Sequence, residues 1–466
     1  MATFYINKNF SGNAIIYTSR INNLNGNNNK ISSIKITNNN IYMIVYDGLN
    51  LTGNSMVICD DINDLALYNF DKKIKSLIFY PMPSPSSIYY NSYDASSSFS
   101  GIDSNDNIFS CSGFFITATG YMVTAAHCVL SDTFNETIQR YDPLIEFHVS
   151  VSNVNGVSGV NRVFEARLVG YDQLCDIALL KIDGLTTQQF LKWGKSRQTP
   201  IGSRVFVLGN PAGVDEDSFV SGIVRDNKYN GEFPSFYVES VLTDGTIIGG
   251  NSGGPLLNAV GQVIALTNYG MGDSNQLGGG VSQYIAENII NQMIAYDLAG
   301  RPQRTLFNAS NTTLTIPTSN NHKFILNDGS RIFGALGGIL IQVPRYLISY
   351  FGVDNNLYRG AFVTNVDSVS DLSNYIDTYD IIVSIDNQEI GLFRNQITPL
   401  SVLVNKSPSE TVTIQYYKYN EGFSTLRTQV ITLIRYSNSA NYSDDVMNAK
   451  EKLKNIVSII KNKNKN

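Results

Sequence analysis

Any fold for this chain must bring three distant motifs together: TAAHC at residues 124–128, CDIALLKI at 175–182 and GGNSGGPL at 249–256. They lie within 109–296, a stretch of short β-rich runs punctuated by glycine, among them FFIT, YMVTAA, VFEARLVG, RVFVLG, FVSGIV, FYVESVL and QVIALTN. Many short strands separated by turn residues predict a pair of all-β barrels. A helix over AENIINQMIAYD is expected to close the stretch.

Each motif supplies one part of an acyl-transfer centre. A serine hydroxyl is a weak nucleophile at neutral pH and needs an adjacent base, a task for which an imidazole with a pKa near ~6.5 is suited. The chain has 3 histidines. His148 alternates within EFHVSVS like a strand residue and His322 lies in a polar connector, which leaves His127 as the candidate base. A carboxylate must then hold the imidazole tautomer and stabilise the imidazolium that forms. Asp176, directly before the apolar run IALLKI, fits that role, although an aspartate there is also an ordinary turn residue. The glycines around Ser252 let a tight turn aim backbone N–H groups at a developing oxyanion. The hole is expected over Gly250, Asn251 and Ser252, with the amides of Gly250 and Ser252 as donors.

A length of 466 residues predicts about three domains. Residues 1–80 alternate runs such as TFYI, AIIY and IYMIVY with Asn/Gly turns and read as a small antiparallel unit. Residues 81–107 form a Pro/Ser-rich linker, whose Ile88, Tyr89, Tyr90 and Tyr93 are expected in a first barrel strand or against a neighbouring subunit. The barrel pair occupies 108–300 and a polar connector 301–322. Residues 323–436 mix strands with helix-like pieces at VPRYLISYF and SDLSNYI, as in a compact α+β module. The tail, 437–466, places Val446, Ala449, Leu453, Ile456, Val457 and Ile460 on one face of a basic helix.

A net charge of -5 gives no basic stripe for nucleic acid. The start, MATFYINKNF, lacks the pattern of a secretory signal, and no stretch has the ~18 apolar residues of a membrane span. The expectation is a soluble protein, cytoplasmic or, if it comes from an AT-rich large DNA virus, packaged in the virion. None of the 4 cysteines has C-x-x-C spacing, so neither a structural metal nor a cofactor is expected.

At these motifs the sequence resembles the trypsin-like superfamily, and within it the HtrA proteases. EARLVGYDQLCDIALLKI, RVFVLGNPAGVDEDSFVSGIV and LTDGTIIGGNSGGPLLNAVGQVIAL all read like segments of that family. RGAFVTNV and YDIIVSIDNQEI resemble the PDZ domain that follows the protease there. FYINKNFSG and IYMIVYDGLNLTGNS resemble βγ-crystallin Greek keys. The implied fold is mainly β and multidomain: a βγ-crystallin-like Greek-key domain, a chymotrypsin-like double β-barrel and a PDZ-like α+β domain.

The implied activity is a serine endopeptidase acting on protein or peptide substrates; a silent binding or scaffold protein and an acyl-transferring esterase are the alternatives. Asn251, where trypsin-like zymogens carry an aspartate, implies activity without N-terminal cleavage. By register with the family, Thr246 marks the base of a specificity pocket, Asn268, Tyr269 and Gly270 one wall and Gly280 the other. None is charged, which implies cleavage after apolar residues. Ala335, Leu336, Gly337 and Gly338 take the place of a loop that captures a C-terminal peptide carboxylate, although a module that only packs on the protease fits the sequence too. Cys111 and Cys128 stand where secreted trypsin-like enzymes have a cystine, and either a disulfide or two buried thiols is compatible with the sequence. NNKISS matches a crystallin calcium pattern, but the lysines of DKKIKS repel a cation. The family commonly forms trimers, so a homotrimer is implied by resemblance.

Overall fold

The structure is a computed structural model and describes residues 1–103, 106–135, 140–154, 157–186, 188–210, 218–229, 238–271, 277–300, 330–331, 334–342, 360–391 and 397–435. The whole connector 301–322 with His322, the helix-like VPRYLISYF and the C-terminal tail lie outside these residues.

The N-terminal unit contains six strands: β1 (Ala2–Asn7), β2 (Ser11–Tyr17), β3 (Ser33–Ile36), β4 (Ile41–Tyr46), β5 (Ser55–Ile58) and β6 (Ser76–Pro81). They make two antiparallel sheets, ordered β2-β1-β3 and β5-β4-β6. Single bridges cross between the halves, Ile21 to Leu77 and Ile34 to Ile62. Alternation along the strands turns Phe4, Ile34, Met43, Val45, Met56 and Leu77 into one buried core.

The tyrosine-rich segment that follows is not a strand. Pro85–Tyr93 is a helix, α1. Ser84 caps it, its hydroxyl accepting from Ser87 N–H at 3.1 Å, and Pro85 occupies the first turn, where its fixed φ suits a helix. These local signals override the β-propensity of the tyrosines. Ile88 is buried with Leu257 and Val263, while Tyr89 packs edge-on to Phe219 at 5.4 Å, so α1 docks on the second barrel.

The first barrel begins directly afterwards with β7 (Ser96–Ile102), inside the stretch read as a linker. It continues with β8 (Ile108–Phe115), β9 (Tyr121–Thr124), β12 (Glu146–Val154), β13 (Val157–Asp172) and β14 (Ile177–Lys181). A small hairpin of β10 (Leu130–Asn135) and β11 (Arg140–Pro143) lies apart from it. The barrel closes in the order β12-β13-β14-β9-β8-β7. His148 takes its place in β12, opposite Glu165 and Ser100.

The second barrel uses β15 (Arg204–Gly209), β16 (Ser218–Tyr229), β17 (Ser240–Thr243), β18 (Pro255–Asn258), β19 (Val263–Met271) and β20 (Leu277–Ser282), closed in the order β15-β16-β17-β20-β19-β18. Helix α2 (Gln283–Leu298) follows; its Ile285, Ala286, Ile289, Ile290, Met293 and Tyr296 recur on one face and are buried. Asp297 at its end takes a bidentate bond from Arg167 and accepts from the Tyr121 hydroxyl at 2.8 Å. The helix is thereby tied to the first barrel.

The C-terminal unit has β21 (Gly334–Ala335), β22 (Gly338–Gln342), β23 (Ala361–Val366), β24 (Ile381–Ile385), β25 (Gln388–Glu389), helix α3 (Pro399–Leu403), β26 (Thr411–Tyr417), β27 (Leu426–Thr432) and β28 (Ile434–Arg435). Its main sheet runs β22-β23-β24-β26-β27, which leaves β22 on an edge. Within SDLSNYI only a short 3-10 turn forms, over Asp371–Asn374.

This unit is fastened to the barrels by Arg331. Its side chain is fully buried; Nη1 meets Asp172 Oδ2 at 2.8 Å and Nε donates to Gln292 Oε1 at 2.9 Å. Nη2 donates to the Val404 carbonyl, and the Arg331 N–H donates to the Tyr171 carbonyl at 2.7 Å.

Candidate active site

His127 sits in a 3-10 turn, Ala126–Cys128, just beyond β9. Asp176 ends the link between β13 and β14, where its φ of +53° puts it in the left-handed region that aspartate tolerates better than most residues. The link is pinned by Asp172, whose Oδ1 accepts from Cys175 N–H at 2.8 Å.

The Asp176 carboxylate meets His127 twice. Its Oδ1 accepts from His127 N–H at 2.8 Å and its Oδ2 lies 2.8 Å from Nδ1. The Asp176 side chain is 9% exposed and that of His127 49%, so a shielded carboxylate orients an accessible imidazole. Asn268 completes the arrangement. Its Nδ2 donates to Asp176 Oδ2 at 2.7 Å and to the Asp176 carbonyl at 2.8 Å, while its Oδ1 accepts from Val281 N–H at 3.1 Å.

Ser252 lies on the turn between β17 and β18. Asn251 N–H donates to the Ile248 carbonyl at 3.1 Å across Gly250, whose φ is +95°, as a turn with a left-handed third residue requires. Gly253 also has a positive φ, +84°, and a Cβ there would stand 2.2 Å from Thr124 Oγ1. The turn therefore presses against the chain just before His127.

Ser112, on β8 of the first barrel, holds both ends of this turn. Its N–H donates to the Ser252 carbonyl at 3.0 Å and its Oγ donates to the Gly250 carbonyl at 2.7 Å. The same Oγ accepts from Asn210 N–H at 2.7 Å, and the Ser112 carbonyl accepts from Thr124 Oγ1 at 2.8 Å. On the far side Thr267 Oγ1 donates to the Asn251 carbonyl at 2.6 Å. Next to Ser112, Cys111 forms a disulfide with Cys128, which joins β8 to the histidine turn.

The residues assigned to a pocket differ in exposure. Thr246 and Gly270 are exposed and Tyr269 is buried, its hydroxyl pushed up to about 12 by burial. The Asn268 side chain bonds to Asp176. At Gly280 a Cβ would stand 1.7 Å from the Leu266 carbonyl, so this glycine is needed for strand contact. In the C-terminal loop, Ala335 pairs with Ile434, Leu336 enters the unit's core, Gly337 has a φ of +78° and Gly338 opens the edge strand β22.

Residues 111–266 match the model of the trypsin-like peptidase domain. The chain is 29% identical over 281 residues to a probable periplasmic serine endoprotease, DegP-like, of Halomonas elongata, covering 60% of this chain and 48% of that protein. It is 25% identical over 379 residues to the serine endoprotease DegS of Haemophilus influenzae, covering 79% and 91% respectively. The chain thus spans about half the length of the first of these relatives. A solved structure, an HtrA-type protease AlgW with tripeptide, shares the fold at a TM-score of 0.55 and 18% identity, over 76% of this chain and 98% of that one. The expected cytoplasmic or virion location is overturned by the DegP-like relatives, which are periplasmic by name. Among the described residues no helix is long and apolar enough to cross a membrane. Two closed barrels, the matched peptidase model and the endoprotease relatives together show that this chain contains a trypsin-like serine endopeptidase domain and is similar to DegP- and DegS-type endoproteases.

Proposed function

We propose that the whole protein is an endopeptidase in which Ser252 is the nucleophile, His127 the general base and Asp176 the residue that orients it. The reading is carried by one observation: the buried Asp176 carboxylate grips both the backbone and the ring of an exposed His127, beside the turn that bears Ser252. With Nδ1–H held by Asp176, Nε2 accepts the Ser252 hydroxyl proton as Oγ attacks the scissile carbonyl. The N–H groups of Gly250 and Ser252 receive the oxyanion. His127 then passes the proton to the leaving amine, and water repeats the sequence on the acyl-enzyme.

Covalent labelling by a fluorophosphonate tests this directly. Wild-type protein is expected to gain one adduct, on Ser252, and Ser252→Ala none, with casein cleavage reduced by about 10⁶ in kcat. Equal labelling of both proteins removes Ser252 from the role.

Ser112 positions the oxyanion donors in this scheme, because it fixes the carbonyls on either side of Asn251. Ser112→Ala leaves Asn210 N–H without its acceptor and frees the Gly250 carbonyl, a loss of about 1–3 kcal/mol. The expected result is a fall in kcat of about tenfold to a hundredfold with KM nearly unchanged. A change confined to KM would show that Ser112 acts on substrate binding instead.

Cleavage after apolar residues remains the reading of the uncharged Thr246 and Gly270. A PDZ-like role for the C-terminal unit is supported by the loop 335–338 leading into edge strand β22, where an extended peptide can add as a further strand. The βγ-crystallin-like reading of the N-terminal unit is supported by the two bridges that cross between its sheets.

A further inference from the structure

We propose that reduction of the Cys111–Cys128 disulfide creates a zinc site at the histidine turn, with Cys111 Sγ, Cys128 Sγ and His127 Nε2 as ligands and water in the fourth position. The sequence gives no such signal, since Cys111 and Cys128 lack metal-motif spacing. The fold supplies what spacing does not: a ring nitrogen of His127 and both sulfurs lie within 4.8 Å of one another. Zinc holds thiolate at about 2.3 Å and imidazole at about 2.0–2.1 Å, so ligands on one ion stand roughly 3.5–3.8 Å apart. Once the disulfide opens, the sulfurs part to that spacing and the ring nitrogen closes on them by about an ångström. The two cysteines have Cα atoms 6.1 Å apart, which lets both sulfurs reach one ion once they are no longer bonded to each other.

The surroundings already meet a second requirement. A metal-binding histidine works best when its other nitrogen donates to a carboxylate, which fixes the tautomer and raises the basicity of the ligand atom. Nδ1 lies 2.8 Å from Asp176 Oδ2, and Asn268 holds that oxygen in turn. Two thiolates and an imidazole favour zinc over hard, oxygen-seeking cations, and the exposed His127 leaves the ion a path in. The other cysteines do not compete. Burial pushes the Cys59 thiol up to about 12 and that of Cys175 well above its usual value, so neither provides thiolate at neutral pH.

The chemistry balances with a dithiol as reductant. The dithiol is oxidised to a cyclic disulfide while Cys111 and Cys128 gain its two electrons and two protons. Zinc then displaces those protons to solvent as it binds. On the peptidase reading above, the Nε2 that takes the Ser252 proton is then occupied, so zinc silences the reduced form and not the oxidised one.

Cobalt and zinc titration of the full chain tests the site without reading proteolysis. Protein reduced with a dithiol and freed of it under anaerobic conditions is expected to bind one Co²⁺ with thiolate-to-cobalt charge-transfer absorption, which Zn²⁺ abolishes. The oxidised protein shows no such band and binds zinc about 100-fold more weakly or worse, because only a thiolate is a ligand. A Cys111→Ser, Cys128→Ser variant that keeps Cys59 and Cys175 shows no band. Asp176→Asn weakens zinc binding in the reduced state by about 10–100-fold. The proposal is overturned by a reduced wild type without the band, by equal zinc affinity in the two states, or by a band that survives in the double serine variant. Unchanged zinc affinity in Asp176→Asn overturns His127 as a ligand. An inactive peptidase still gives a clear answer in every arm.

Discussion

Asp176→Asn is expected to lower kcat by about 10⁴ while the fold and KM are largely kept. The Asp176 carboxylate accepts from three directions: the His127 N–H, the His127 ring and the Asn268 amide. An asparagine offers one oxygen and one NH2 in the same space. With its NH2 in the place of Oδ2, it faces the NH2 of Asn268 and forces Nδ1 to accept, which moves the imidazole proton to Nε2. His127 then cannot take the Ser252 proton. With its NH2 in the place of Oδ1, it opposes the His127 N–H and disturbs the turn. Steady-state kinetics on a peptide, alongside near-ultraviolet circular dichroism, checks the outcome; an activity loss of less than tenfold in a folded variant would remove Asp176 from its assigned role.

Arg331→Met carries the largest expected cost to stability. Both members of the Arg331–Asp172 pair are nearly inaccessible, at 0% and 2% exposure. Removing the guanidinium strands a buried carboxylate, which destabilises by about 3–5 kcal/mol, whereas replacing both partners costs far less. Chemical denaturation of Arg331→Met, and of Arg331→Met with Asp172→Asn, is expected to show a clearly smaller loss in the double variant. Additive losses would mean that the two side chains do not act as a pair. Because Asp172 also anchors the link that ends at Asp176, the single variant is expected to lose peptidase activity below its unfolding transition.

The residues that were legible in the sequence are those whose signal is local. The barrels follow from the punctuated strands, and the proposed triad of His127, Asp176 and Ser252 rests on three short motifs whose residue types the chemistry itself demands. The residues that hold them are set by pairing across the fold. Ser112 bonds Gly250 across 138 positions and Arg331 reaches Asp172 across 159, and neither separation leaves a mark in the nearby sequence. The bond from Asn268 to Asp176 is hidden for a related reason: β19 shifts register against β20 between Thr267 and Tyr269, and family register alone does not reveal which way the Asn268 side chain turns. Helix α1 is the opposite case. Ser84 and Pro85 do signal a helix start, but the tyrosines after them read more strongly as strand.

The bond from Ser112 N–H to the Ser252 carbonyl fastens the first barrel to a turn whose chain belongs to the second. The two barrels therefore cannot slip past each other without pulling on the peptide unit of Ser252. A strain that parts the two barrels at this bond is therefore felt at Ser252 itself.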